Sequence, residues 1–202
     1  MKGRKFIIPD YQRPYRWGNE ECTKLWDDIT NADPKNDYFL GAFMTYRNKD
    51  DNEEIIDGQQ RTTTLLLLLR AFYQKLEMMP EDEEGHVAGL KQQIEPCIWE
   101  TDSMSKKVTD RKKIHIESQI IGDENRAEFH HILATGTIPE KAVKSPYAEN
   151  YQFFLDKCDT YAKDKLFDWK RLCVFILDSC IVFPRSSFIT GFLQFCSLKT
   201  RG

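Results

Sequence analysis

The chain has 202 residues, of which 41% are hydrophobic, 30% charged and 12% aromatic. That apolar share supplies a packed core and excludes a disordered chain, and the length suits one large domain or two small ones. With 29 Lys and Arg against 32 Asp and Glu, the net charge is −3, which excludes a uniformly basic nucleic-acid coat and requires any phosphate site to be a local cluster.

Phe6-Ile7-Ile8 predicts a short strand. It feeds a proline-punctuated loop, Pro9-Asp10-Tyr11-Gln12-Arg13-Pro14-Tyr15-Arg16-Trp17, which is extended because residues before proline avoid the helical region. A helix is expected from about Asn19, with Cys22, Leu25, Trp26 and Ile29 at i, i+3, i+4 and i+7. Glu20 and Glu21 in its first turn suit the positive end of the dipole. Tyr38 to Tyr46 reads as a strand, Asn48 to Asn52 as a polar turn, and Glu54-Ile55-Ile56 as the returning strand of a hairpin. Asp57-Gly58 ends it, and a helix runs from Gln59 or Gln60 to about Met79. Leu65 to Leu69 are five consecutive leucines, so at about 100° per residue they sweep every face. A helix that is apolar all round is a buried one, which places it at the centre of the fold.

After Pro80 the acidic run Glu81 to Gly85 reads as a solvated linker or helix start. The remainder is expected to be mainly helical, at roughly 83–98, 123–134, 146–164 and 168–178, with a short strand at Lys113 to Ile116. Phe153, Phe154, Lys157, Cys158 and Tyr161 mark an amphipathic helix, and Ser179 to Phe183 a strand before a last helix through Phe192, Phe195 and Leu198. The fold class is α+β: a small mixed sheet with a central buried helix, followed by a mainly helical extension, with residues 1–80 as core and 81–202 as extension. Ending at Lys199-Thr200-Arg201-Gly202 directly after an apolar helix, the chain reads as a fragment lacking a following domain.

No apolar run approaches the roughly 20 residues needed to span a bilayer, and Phe6-Ile7-Ile8-Pro9 is too short for a signal-peptide core, so a cytoplasmic protein without a membrane partner is expected. Cys22, Cys97, Cys158, Cys173, Cys180 and Cys196 form no C-x-x-C pair and lie mostly on apolar stripes, which reads as buried free thiols. His86, His115, His130 and His131 make no zinc-like spacing with them. P-loop, dinucleotide-fold and serine-elbow signatures are missing. Lys106-Lys107 and Arg111-Lys112-Lys113 form a basic patch, open to reading as solvated lysines or as a nucleic-acid contact.

Two stretches carry chemistry. In Ile55-Ile56-Asp57-Gly58-Gln59-Gln60-Arg61-Thr62-Thr63-Thr64 a strand, a tight turn and a buried helix follow one another. The free N–H groups of such a helix start form an anion site. Arg61 in the first turn opposes the dipole, and three threonines are mediocre helix formers. A bound phosphate resolves both conflicts through Arg61, the threonine hydroxyls and backbone N–H groups. Asp57 then serves Mg²⁺ or a nucleophilic water, and Gln59 and Gln60 position that water or read a base edge. The alternative is that Asp57 caps the helix, Gly58 makes the turn and Arg61 pairs with a surface carboxylate. The second stretch, Tyr11 to Trp17, interleaves aromatics with Arg13 and Arg16, which suits bases and phosphates, or equally an aromatic loop packed on the first helix.

The series Phe6-Ile7-Ile8-Pro9, Tyr11-Gln12-Arg13-Pro14-Tyr15-Arg16-Trp17, Leu25-Trp26-Asp27-Asp28-Ile29, Tyr38-Phe39-Leu40-Gly41 and Ile56-Asp57-Gly58-Gln59-Gln60-Arg61, with Thr63-Thr64-Leu65, resembles the N-terminal domain of GmrSD-type modification-dependent restriction enzymes. The segment Phe192 to Gly202 is similar to that family's L-N-x-R-G element. The resemblance implies a ParB/sulfiredoxin-like core that binds and hydrolyses a nucleoside triphosphate with Mg²⁺, in service of attack on modified phage DNA. It implies Asp57, Gln59, Gln60 and Arg61 as the hydrolytic motif, with Asp57 on the metal. It further implies Tyr11, Gln12, Arg13, Gly58, Thr62, Thr63 and Arg201 as nucleotide-binding. DNA and a nuclease domain or subunit are the implied partners, the H-x-x-P nuclease motif being missing from this chain. Thr62 stands where the family has Leu, and Lys199 where it has Asn. The rival expectation is a non-catalytic nucleotide-sensing or DNA-binding adaptor.

Overall fold

A computed structural model describes residues 5–31, 38–39, 43–81, 85–102, 104–105, 107–140, 144–161 and 180–181. The fold is α+β. Its main sheet has the order β3-β4-β1-β5, formed by β1 (Phe6–Ile8), β3 (Met44–Arg47), β4 (Glu53–Asp57) and β5 (Ile116–Ser118). β1 runs parallel to both neighbours, with Phe6 opposite Glu53 and Ile116, while β3 and β4 are antiparallel. The sheet is therefore mixed, and its edge strand β5 comes from beyond residue 80. A separate parallel pair joins β2 (Tyr38–Phe39) to β6 (Cys180–Ile181).

The helices are α1 (Asn19–Asn31), α2 (Gln59–Met78), α3 (His86–Ile98), α4 (Arg126–Thr135) and α5 (Pro146–Tyr161). In α1 the stripe Cys22, Leu25, Trp26 and Ile29 is buried as expected. Glu21 accepts the Gly18 N–H at 2.9 Å, the reciprocal arm of a capping box. In α2 burial runs unbroken from Thr62 to Tyr73, and α3, α4 and α5 all pack against this helix. Leu65 to Leu69 are each at most 3% exposed; at about 1.5–3 kcal/mol per buried leucine they are a major part of the driving force. Lys75 in the last turn meets Asp159 of α5 at 2.6 Å, and Met79 turns extended before Pro80, which stops the helix.

Boundaries shift where local chemistry intervenes. The strand expected at Lys113–Ile116 begins only at Ile116, because Ile114 is taken by an isolated bridge to Trp99 and the ladder with β1 starts after His115. α3 begins at His86 because Gly85 has a left-handed φ of 72°, a non-helical cap. α4 begins at Arg126 rather than near 123 because the Asp123 carboxylate accepts the Asn125 N–H and ties the chain into a turn. The expected helix at 168–178, the last helix through Phe192, Phe195 and Leu198, and Arg201 lie outside the described residues. Cys22, Cys97 and Cys158 are buried free thiols; the other three cysteine side chains also lie outside. Among the described residues, no helix is long and apolar enough to cross a membrane.

Candidate phosphate site at the start of the central helix

The first turn of α2 emerges from β4 through Gly58, whose φ of 92° and ψ of 7° are left-handed. An L-residue pays about 1–2 kcal/mol for that conformation, so the sharp entry depends on glycine. Among the described residues no side chain caps α2. Asp57, the residue placed to do so, instead accepts the Gly58 N–H through Oδ1 at 2.8 Å and stays exposed. The first-turn N–H groups beyond Gly58 have no intrahelical acceptor, and the helix behind them is apolar, so the Asp57 carboxylate at the Gly58 N–H meets the positive pole of α2 from just outside its first turn.

The loop from Pro9 to Trp17 lies across this pole and is held there by side chains that read its backbone. Gln59 Nε2 donates to Arg13 O at 2.8 Å. Gln60 does more: Nε2 donates to Pro14 O at 3.0 Å, and Oε1 accepts Arg16 N–H at 2.8 Å, so one amide replaces a strand partner for the loop. Gln12 Nε2 returns the contact, donating to Ile56 O at 2.9 Å. Both helix glutamines are buried. Tyr15 turns inward: Thr64 Oγ1 spends its hydrogen on Gln60 O, so the Tyr15 hydroxyl is the donor to Thr64 at 2.7 Å and accepts from Asn150 Nδ2 at 2.9 Å. Asn150 also donates to Trp17 O. Burial pushes the Tyr15 phenol far above its usual range and the Cys22 thiol beneath it up to about 12. Stacking of Tyr15 on Tyr147, centroids 4.8 Å apart, ties the loop to α5.

What faces outward is different in kind. Tyr11 is 67% exposed, and Arg13 and Arg16 are exposed. Arg61 is half-buried and engaged within the chain. Thr62 is buried and its hydroxyl donates back to Gly58 O at 3.0 Å; Thr63 is buried as well. The sequence-selected residues Tyr11, Gln12, Arg13, Asp57, Gly58, Gln59, Gln60, Arg61, Thr62 and Thr63 thus converge on one strand–turn–helix and the loop above it. Within that group the two helix glutamines serve the loop rather than open solvent. Tyr15 was marked in the sequence as part of the aromatic loop but not as its inward anchor, and Asn150 carried no sequence signal: it is 135 positions from its partner Tyr15, and nothing in the α5 pattern marks it.

A groove of about 1030 Å³ lies toward the far end of α2 beside Tyr73, Glu77, Glu95 and Arg111. Its polar groups answer one another: Arg111 meets Glu77 at 2.7 Å, Tyr73 donates to Glu95 at 2.8 Å, and Lys91 meets Glu81 at 2.5 Å. It has no comparable demand for an outside charge.

Among the described residues no three His, Cys, Asp or Glu side chains gather as a resident metal site. Mg²⁺ brought in with phosphates needs only one or two carboxylates and keeps several waters, and the exposed Asp57 beside the turn fits that demand.

No curated protein matches the chain in a sequence search. Residues 1–194 match the family described as GmrSD restriction endonuclease, N-terminal domain. With nearly the whole chain matched, and with the D-G-Q-Q-R turn and the Y-Q-R-P-Y loop clamped together, the protein belongs to the N-terminal-domain family of the GmrSD restriction endonucleases.

Proposed function

We propose that this chain binds a nucleoside triphosphate at the Gly58 turn and hydrolyses it, as the licensing module of a DNA restriction enzyme. The observation that carries this reading is the clamp. Gln59 and Gln60 hold the Tyr11–Trp17 loop over an interior helix that has no side-chain cap. The result is a left-handed glycine turn, a positive helix pole and an exposed arginine-rich loop in one place. Phosphate oxygens accept from the first-turn N–H groups, with Arg61 and Arg13 supplying charge. The exposed ring of Tyr11 is available to stack on the base. Asp57 would hold Mg²⁺, which would supply charge neutralisation at the phosphates, or would orient the attacking water. Gln59 and Gln60 act as positioning residues. In this reading residues 1–80 carry the nucleotide site, and 81–202 contribute β5 and the α5 residues that brace the loop.

One observation favours the second reading, a nucleotide sensor without turnover. Both glutamines of the motif and the Thr62 hydroxyl are already committed to protein acceptors, which leaves few groups to activate water. Calorimetric titration with the four ribonucleoside triphosphates and Mg²⁺, alongside phosphate release, separates the two. We expect one nucleotide to bind, with affinity lost about ten-fold or more in Arg61→Ala and in Arg13→Ala, since each removes a charge-assisted hydrogen bond. Release of phosphate that disappears in Arg61→Ala supports hydrolysis; tight binding without release supports the sensor. Absence of any nucleotide binding overturns both.

A further inference from the structure

Between Asp10 and Trp17 only the Tyr15 side chain is buried, so the loop over Gly58 enters the core through a single phenol. That phenol belongs to a hydrogen-bond relay with one possible direction. Asn150 Nδ2 donates to the Tyr15 hydroxyl at 2.9 Å, Tyr15 donates to Thr64 Oγ1 at 2.7 Å, and Thr64 donates to Gln60 O at 2.9 Å. An amide nitrogen only donates and a carbonyl only accepts, so neither hydroxyl between them can turn round. The second N–H of Asn150 goes to Trp17 O at 2.7 Å. Tyr15, Thr64 and Asn150 are all buried, so water does not stand in for any of them. The relay ends on Gln60, whose own amide holds Pro14 and Arg16.

A second observation says which end of the relay is fixed. The start of α5 is tied down on its own account. Ser145 Oγ accepts the Ala148 N–H at 3.2 Å and donates to the buried Glu128 of α4. Tyr147 lies between the rings of Tyr15 and Phe129, at 4.8 Å and 4.9 Å, and its hydroxyl donates to Asp123 at 2.6 Å. Asn150 is three residues further on, on the same face of the helix. Its amide is therefore held by the α4–α5 packing whether or not the loop is in place. On the loop side, Arg13 and Arg16 stand exposed on either side of Tyr15, and their backbone follows where that ring is anchored.

We infer that Asn150 is a positioning residue for the nucleotide loop. It touches no ligand; through Tyr15 and Trp17 it fixes where Arg13 and Arg16 stand over the Gly58 turn, so affinity for the triphosphate is set from α5 as well as from α2. The inference rests on the nucleotide reading of that turn and needs binding only, not hydrolysis.

The test is calorimetric titration of the full chain and two variants with the four ribonucleoside triphosphates and Mg²⁺. Asn150→Asp keeps the side-chain shape, removes both donors and sets carboxylate oxygens against Trp17 O. Tyr15→Phe keeps the ring on Tyr147 and removes only the middle of the relay. A loosened loop is competent to bind for part of the time, which raises Kd in proportion and leaves one site per folded chain. Kd should rise about ten-fold or more in Asn150→Asp and about three-fold to ten-fold in Tyr15→Phe, at unchanged stoichiometry. A merely structural role gives the reverse, fewer binding sites at the wild-type Kd, and that result overturns the inference. If Asn150→Asp does not fold, Tyr15→Phe decides, and a wild-type Kd there overturns it equally. Wild type that binds none of the four overturns the nucleotide reading and this inference with it. Wild type that binds, with both variants at its Kd, overturns this inference alone.

Discussion

Gln60→Ala tests whether the loop over α2 is held by one amide. The substitution removes two hydrogen bonds at once, the donation to Pro14 O and the acceptance from Arg16 N–H. Each bond is worth about 1 kcal/mol net, and the partners left behind are part-buried, which adds a partial desolvation cost; the sum is about 2–4 kcal/mol. The loop keeps its anchors at Gln12, Gln59 and Tyr15, so the loss should appear first as local opening rather than global unfolding. The Arg16 amide reports it directly, because the Gln60 oxygen is the acceptor that protects it. Native-state hydrogen exchange at that amide should accelerate roughly 30-fold to 1000-fold, the range that 2–4 kcal/mol gives. Exchange at Arg16 that stays at the wild-type rate refutes the clamp.

A second variant at the same position makes the logic harder to evade. Gln60→Glu keeps an acceptor for Arg16 N–H but sets a carboxylate oxygen against Pro14 O. The protonated acid restores a donor, so the folded state raises this group's pKa above the ordinary carboxylate value. Destabilisation should therefore be full above the raised pKa and vanish as pH falls below the unfolded value. Urea midpoints of Gln60→Glu and wild type should converge in acid, while those of Gln60→Ala and wild type stay apart.

Gly136→Ala should cost about 2–5 kcal/mol in urea denaturation, because φ is 77° and a Cβ would lie 2.0 Å from Arg70 Nη2. Gly122→Ala, with φ 83° and open space around it, should cost only about 1–2 kcal/mol; equal losses would contradict the clash. Burial pushes the thiols of Cys22 and Cys158 up to about 12. At pH 8 only about one in 10⁴ of either is thiolate, so site-resolved mass spectrometry should find both unlabelled by iodoacetamide in the native protein and labelled in urea, and native labelling within minutes would refute it.

The sequence was most legible where one physical rule acted alone. The i, i+3, i+4, i+7 stripe of α1 and the leucine run of α2 report burial directly, because period and hydrophobicity need no tertiary information. The hairpin turn at Asn48 to Asn52 was legible because it is local, Asn48 Oδ1 accepting the N–H groups of Asp50 and Asn52. The strand expected over Tyr38 to Tyr46 was not: β3 starts only at Met44, and Tyr38–Phe39 pairs instead with the distant β6. β5 was displaced because its ladder depends on Trp99 and β1, which are distant in sequence. Arg70 was the least legible. A guanidinium with a fully buried side chain, packed 5.5 Å and 5.4 Å from the centroids of Tyr73 and Trp99, sits inside the central buried helix. Burial lowers its pKa, and only folding brings the rings and Glu77 together to hold it.

The candidate site repeats that division between local and distant causes. Residue types at the Asp57–Arg61 turn pointed to a helix pole that wants negative charge, a property of backbone dipoles and therefore local. They did not reveal what the glutamines do. A glutamine near a phosphate site invites a catalytic role, yet Gln59 and Gln60 point their amides at Arg13 O and Pro14 O. The two motifs, joined by hydrogen bonds that span 44 to 46 positions of sequence, are thus halves of one device, with the helix supplying the amides and the loop supplying the carbonyls. A substitution in either half should then perturb the other. Pro14 fixes the backbone whose carbonyl Gln60 reads, so Pro14→Ala and Gln60→Ala should be strongly non-additive in a double-mutant cycle. Additive losses would mean that the loop is held by Tyr15 and Asn150 and that the glutamines are incidental.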